Sequence, residues 1–211
     1  MIRITCLNLS CADNHFHDRL LAAASPSRAA RAARFRRRED GLRCLAAEAL
    51  LRHALNVHHG SWQDISIAET SRGKPFAENL PGFHFSLSHS GQWVVIAWGE
   101  REVGLDVERI DPARNVHALA RRWMHEEEQA FLAAAENPAA AFTALWTARE
   151  AWGKYRGFGI AHEVSSFSAL SPPEGLSLFY PPLDKDHSLC LCTAEDHYAL
   201  EILSPDALLS L

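Results

Sequence analysis

The sequence predicts an α+β fold organised as two halves, and two observations carry that reading. Short alternating or apolar runs that read as strands cluster in mid-chain (Phe83 to Ser88, Trp93 to Trp98, Val103 to Glu108) and again near the end (Leu176 to Tyr180, Leu189 to Thr193, Tyr198 to Leu203). Helical stretches precede each cluster, so the order helices-then-strands is run through twice, with a boundary near Glu100 to Glu102. The predicted units are residues 1–101 and 102–211.

In chain order, Met1 to Ser10 alternates Ile2, Ile4 and Cys6 as a strand does. Asp18 to Ala24 reads as helix. Ser25-Pro26-Ser27 opens an Ala/Arg helix, with Ser27 the expected N-cap. Glu39 to Leu55 spaces Leu42, Leu45 and Ala49 for one buried face, and Gly60-Ser61 breaks it. Ile65 to Glu69 is a candidate strand and Arg72-Gly73-Lys74-Pro75 a turn. In Phe83 to Ser88, Phe83, Phe85 and Leu87 point one way and His84, Ser86 and Ser88 the other. Trp93 to Trp98 is continuously apolar, which fits a central strand, and His89 to Gln92 links the two as a hairpin. After the strand Val103 to Glu108, a helix is expected over Val116 to Ala135 and another over Ala139 to Arg156, parted by Asn137-Pro138. Gly157 and Gly159 stop the second.

Composition narrows the function. Hydrophobic residues make up 47% and charged residues 22% of 211, as in a water-soluble globular chain. The longest apolar runs are far too short to span a bilayer, so no membrane partner is expected. Met1 to Ser10 does not read as a signal peptide, and the five cysteines show no zinc spacing. Free thiols in a reducing cytoplasm are the expectation, with Cys190 and Cys192 on one side of a strand. Net charge is −5, yet seven arginines stand between Arg28 and Arg43. Such a patch suits a phosphorylated ligand or an acidic protein surface, and equally an ordinary solvated helix face. Lysine is scarce: Lys74, Lys154 and Lys185.

Four local patterns bear on chemistry. Asp106 and Glu108 share one face of a strand, ~6.6 Å apart at ~3.3 Å per residue. Paired carboxylates there suit a hard cation such as Mg²⁺, or a solvated outer face. Trp146, Glu150 and Lys154 lie along one side of a helix, either as a surface Glu–Lys pair or as a third carboxylate and a cation beside the strand pair. Ser86-Leu87-Ser88-His89-Ser90 offers hydroxyls, an imidazole and backbone amides to a phosphate, or serves as turn chemistry. No G-x-S-x-G elbow surrounds its serines. Gly73-Lys74-Pro75 is not a P-loop, because the upstream glycine is missing and Pro75 stands where Ser or Thr would meet the metal.

Taken in order, Gly73-Lys74-Pro75, Phe85-Ser86-Leu87-Ser88-His89-Ser90, Gly104-Leu105-Asp106-Val107-Glu108, Trp146-Thr147-Ala148-Arg149-Glu150-Ala151, Lys154 and Gly157-Phe158-Gly159 resemble the phosphopantetheinyl transferase superfamily over roughly Arg28 to Phe167. The length is similar to the larger, surfactin-synthetase-activating type. That resemblance implies a pseudo-dimer of two similar α/β halves, each a small antiparallel-type sheet packed with helices. It implies transfer of 4′-phosphopantetheine from coenzyme A to a serine of an apo acyl or peptidyl carrier protein, releasing 3′,5′-ADP. Asp106, Glu108 and Glu150 would hold Mg²⁺, with Mn²⁺ able to substitute. His89, Ser88 and Lys154 would contact the coenzyme A phosphates. Arg28 and Arg31 would meet the 3′-phosphate with Arg43 nearby, and Lys74 and Pro75 would line the adenine pocket. Glu150, Lys154 and His89 would be the catalytic set, with Glu150 as metal ligand and as general base, directly or through a metal-bound water. Glu126 falls near a further acidic position of the family. The family commonly has Lys where this chain has Arg149, and Asn where it has Ser86. The carrier is expected to be a small acidic helical protein, with Trp123 and Met124 candidates for its docking, and the enzyme is expected to be a cytoplasmic monomer.

Rival readings use parts of the same residues. A metal-dependent phosphohydrolase or nuclease would use the carboxylates and the basic helix without explaining the ordered set. A nucleic-acid-binding module would need stacking residues beside the arginines, where only Phe35 stands, so no nucleic acid is expected. A carrier-binding scaffold without catalysis would be favoured by loss of a ligand carboxylate, and none is lost.

Overall fold

In a computed structural model that describes residues 1–157 and 167–209, the expected α+β chain is observed with two main sheets. The first sheet has the order β4 (His84–Ser90), β5 (Trp93–Gly99), β1 (Ile2–Asn8), β9 (Tyr198–Leu203). It is antiparallel except for the parallel β1–β9 pair. The second has the antiparallel order β6 (Val103–Arg109), β8 (His187–Thr193), β7 (Ser177–Phe179). A small hairpin pairs β2 (Ile67–Glu69) with β3 (Pro75–Ala77).

Strand alternation builds the layers. In the first sheet Ile2, Ile4, Cys6, Trp93, Val95 and Ala97 pack against Val103, Leu105, Val107, Leu189 and Leu191 of the second. The opposite face of the first sheet, with Leu7, Phe85, Val94, Ile96 and Trp98, is covered by α1 (Asn14–Ala23), α3 (Arg38–His59) and α7 (Pro205–Leu209). On the far side of the second sheet Cys190 and Cys192 pack under α4 (Val116–Trp123), α5 (Glu126–Ala134) and α6 (Pro138–Arg156). The result is helix, sheet, sheet, helix, with the inner strands β5 and β8 buried on both faces and the five cysteines unpaired. β5 is buried along its whole length, which explains its continuous apolar run. The last strand and helix return from the second half to close on the first sheet, a long-range pairing that no local pattern announces.

Several expectations need correction. The cap of α2 (Pro26–Ala32) is Ser25, whose side chain accepts from Arg28 N, not Ser27. Proline at the first helical position puts the cap immediately before it. The expected single helix Val116 to Ala135 is two, because Met124 and His125 are extended and Glu128 reaches back to the His125 N–H at 3.0 Å. Glu126, Glu127 and Glu128 mark the new start, where acidic side chains favour the helix dipole. α1 begins earlier than expected, at Asn14, capped by Asp13. The hairpin turn is Gly91-Gln92 alone, since Ser90 pairs with Trp93. Gly157 ends α6 in the left-handed region (φ 70°), and Gly159 lies outside the described residues.

Close approach of α6 to β6 rests on Gly104. A Cβ there would overlap the Ala151 carbonyl oxygen and the Tyr155 amide, and would lie 2.9 Å from Tyr155 Cα. Backbone cannot move aside as a side chain can, so Gly104→Ala is expected to destabilise the chain by about 3 kcal/mol or more, read as a lower urea midpoint.

Candidate active site

The site forms where the edge strands of the two sheets, β4 and β6, run side by side. Alternation sends Ser86, Ser88 and Ser90 toward β6. Ser86 Oγ accepts from Leu105 N at 2.9 Å and donates to Leu105 O at 3.4 Å. Ser88 Oγ donates to Asp106 Oδ1 at 2.7 Å, and Ser90 Oγ donates to Glu108 Oε2 at 3.2 Å while accepting from Arg109 N at 3.0 Å. Ser86 thus takes backbone bonds that a paired strand would have made, and it does so buried. The Ser at this position bridges the halves, whereas the sequence suggested turn support. Ser90 drew no role of its own from the sequence; the i, i+2, i+4 spacing against the carboxylate strand was the available signal.

Asp106 faces α6 and is almost fully buried. Its Oδ1 also accepts from Lys154 Nζ at 2.7 Å, and Lys154 reaches the Leu87 carbonyl at 3.2 Å. Its Oδ2 is buried without a hydrogen-bond partner among the described residues. Burial, and then the Asp106 charge, raise Glu150 to about 7, with Glu108 adding and Lys154 opposing. Burial and Asp106 also raise Glu108, opposed by its Ser90 hydrogen bond. Three carboxylates therefore strain against one another with a single lysine between them. An orphaned carboxylate oxygen beside two flanking carboxylates fits a hard divalent cation that completes its shell with water and phosphate oxygens. Among the described residues no three side-chain ligands are already gathered into a metal cage.

A groove of about 700 Å³ opens beside this cluster, lined among others by Arg28, Arg31, Glu48, Pro75, Ser88, His89 and Lys154. Burial, and then the nearby Arg43 charge, lower the His89 pKa from 6.5, so the imidazole is neutral at neutral pH. Six of the eight residues expected at the phosphates and adenine (Arg28, Arg31, Pro75, Ser88, His89 and Lys154) line this groove, and Arg43 and Lys74 line the clefts beside it. Arg43 binds Asp40 and donates to the Gly91 carbonyl at 2.7 Å; it lines a neighbouring cleft with Arg37, Arg109, Arg114 and Glu108. Lys74 turns into the junction of the halves, where it pairs with Glu102 and reaches Val103 O and Tyr155 O. It lines, with Pro75 and Lys154, a smaller pocket of about 250 Å³. Glu126 is exposed on α5, and its neighbour Glu128 is the buried one, ion-paired with Arg149. Trp123 meets Trp146 edge-on and Met124 is buried.

Comparison with known proteins agrees in family across both halves. The family described as 4′-phosphopantetheinyl transferase superfamily matches residues 102–203, and that described as 4′-phosphopantetheinyl transferase, N-terminal, matches residues 12–101. The chain is 35% identical to 4′-phosphopantetheinyl transferase psf-1 of Bacillus pumilus, over 86% of this chain and 84% of that protein. It is 29% identical to 4′-phosphopantetheinyl transferase Sfp of Bacillus subtilis over 82% and 77%, and 33% identical to 4′-phosphopantetheinyl transferase HetI of a Nostoc species over 77% and 72%.

A carboxyl raised on folding holds its proton more tightly in the native state, so stability falls as pH rises from the unfolded value of 4.5 through about 7. Glu150→Gln removes that penalty. At pH 8 without metal the variant should be more stable by about 1–2 kcal/mol after allowance for solvent screening, and the gain should vanish below about pH 4. Chemical denaturation at the two pH values checks it.

Proposed function

The chain belongs to the 4′-phosphopantetheinyl transferase superfamily, and from that premise we propose that it moves the 4′-phosphopantetheine arm of coenzyme A onto a serine of an apo acyl or peptidyl carrier protein. The observation that carries this reading is the junction of a carboxylate cluster (Asp106, Glu108, Glu150) with a groove lined by Arg28, Arg31, Ser88, His89 and Lys154. Coenzyme A brings a diphosphate and a 3′-phosphate, and the groove offers guanidinium, ammonium, hydroxyl and neutral imidazole groups to hold them.

In this reading Arg28 and Arg31 take the 3′-phosphate, and Ser88 and His89 donate to the diphosphate. Lys154 exchanges Asp106 for a diphosphate oxygen, a move of one hydrogen-bond partner at the rim it already lines. The carrier serine oxygen forms a bond to the β-phosphorus as the bridging bond to the α-phosphate breaks, and 3′,5′-ADP leaves with that electron pair. Glu150, the α6 carboxylate beside Asp106, takes the serine proton. Mg²⁺ or Mn²⁺ held by Asp106, Glu108 and Glu150 would supply neutralisation of the diphosphate and leaving-group charge. Phosphoryl transfer depends more on alignment and charge than on covalent help, which matches a site built from fixed ionic groups. Among the described residues no helix is long and apolar enough to cross a membrane. We read the working form as a cytoplasmic monomer.

Mass spectrometry of an apo carrier protein incubated with the chain, coenzyme A and Mg²⁺ should show a gain of one phosphopantetheine. Asp106→Ala should slow it about 100-fold or more, and a chelator should stop it. Release of phosphate from coenzyme A with no gain on any of several carriers would point instead to a phosphohydrolase.

A further inference from the structure

We infer that Glu48 and Arg52 form a clamp that sets where Arg28 and Arg31 stand, and thereby determines how strongly the chain prefers a donor bearing a 3′-phosphate. The inference rests on the groove assignment above and adds residues to which that assignment gives no part.

Helix α2 carries both arginines, yet none of its seven residues is buried. Apolar packing holds it through Ala32 at its C-terminal end, so the position of its first turn depends on polar contacts. Its seat is a stripe on α3 formed by Gly41, Cys44, Glu48 and Arg52, spaced three and four residues apart on one helix face. At the C-terminal end of α2 the Ala32 carbonyl oxygen lies 3.0 Å from where a Cβ on Gly41 would stand. In the middle Arg28 Nη1 approaches Cys44 Sγ at 3.7 Å.

The N-terminal end is gripped by an ion pair. Arg52 Nη2 donates to Glu48 Oε1 at 2.9 Å, with both side chains only 17% and 15% exposed. Glu48 accepts from Ser25 N at 3.2 and 3.4 Å through its two oxygens, and Arg52 donates to the Ala23 carbonyl. One acid and one base thus satisfy the two peptide groups that flank Ala24, across a link of only two residues between α1 and α2. The Arg52 guanidinium also lies 3.9 Å over the Trp62 ring, which fixes it from behind. Ser25, held this way, caps the helix through Arg28 N.

Glu48 itself lines the groove. A bare carboxylate there would repel a phosphate, and its removal would tighten anion binding. A clamp predicts the opposite sign, because a helix released at its start no longer aims its arginines. The two roles therefore separate by experiment.

Calorimetry with Mg²⁺ present should compare coenzyme A and 3′-dephospho-coenzyme A on the wild-type chain, Glu48→Ala, Glu48→Gln and Arg28→Ala. The wild type should prefer coenzyme A. Glu48→Ala should lose about tenfold or more of that preference through weaker coenzyme A binding, with dephospho-coenzyme A unchanged. Glu48→Gln should retain most of it, since its amide oxygen still accepts from Ser25 N. Tighter coenzyme A binding by Glu48→Ala, or equal weakening of both donors, overturns the clamp. A wild type without preference, or one whose preference survives Arg28→Ala, overturns the phosphate assignment and the clamp with it. The transfer reaction is scored apart from both by carrier mass in a parallel incubation.

Discussion

Two exposed sheet edges have to meet for this site to exist. β4 and β6 are edge strands of different sheets, and each would otherwise present unpaired amides and carbonyls. Serine side chains replace main-chain pairing: Ser86 takes both backbone groups of Leu105, and Ser90 takes Arg109 N. The serine between them, Ser88, is left to bind a side chain, Asp106. The same alternation that buries Phe85 under α3 therefore delivers three hydroxyls to the seam, and packing of the halves and assembly of the site are one event. On the other side of β6, Gly104 lets α6 lie close enough for Lys154 to reach Asp106.

That closeness creates an electrostatic conflict. Asp106 is buried, and its charge raises both Glu108 and Glu150 on top of their own desolvation. A fold under selection for stability alone would not gather three acids around one lysine. The conflict eases when positive charge enters; without it Glu150 is raised to about 7 beside a groove lined by Arg28, Arg31 and Lys154. Lys154 is the pivot, because it touches the acid cluster through Asp106 and the groove through its own exposed flank.

The layers were largely legible in the sequence because strand alternation is a local signal with a physical period. Val103, Leu105 and Val107 could be assigned to the core, and Cys190 and Cys192 to one face, from spacing alone. Asp106 and Glu108 stood out by sharing one strand face, and Glu150 and Lys154 by lying one helical turn apart, within an ordered set of motifs. What spacing does not encode is direction over long range. Lys74 lines a pocket with Pro75, and spacing did not announce that its ammonium also pairs with Glu102 and reaches two carbonyls of the junction. Arg43 is drawn off by Asp40 and Gly91. The return of β9 to pair with β1, 190 residues earlier in the chain or more, has no local trace either. The break at Met124-His125 did have one, in the acidic run that follows, but continuous helical propensity through Val116 to Ala135 masked it.

Arg149 shows how the residue beside Glu150 is tied into the fold. Adjacent helix residues point about 100° apart, so with Glu150 turned to β6, Arg149 is turned to α5. There it meets Glu128 in an ion pair with almost no solvent exposure on either partner. A buried pair repays its desolvation only if its remaining oxygens are satisfied. Glu128 meets that condition by accepting from His125 N at 3.0 Å and Ala169 N at 2.8 Å. One carboxylate therefore caps α5, ties down the chain at Ala169 and fixes the rotation of α6. A planar guanidinium suits this role because it can engage a carboxylate and still direct other N–H groups elsewhere, which an ammonium on a flexible stem does less well. The angle at which Glu150 faces Asp106 is thus set from the neighbouring face of its own helix, about 100° round.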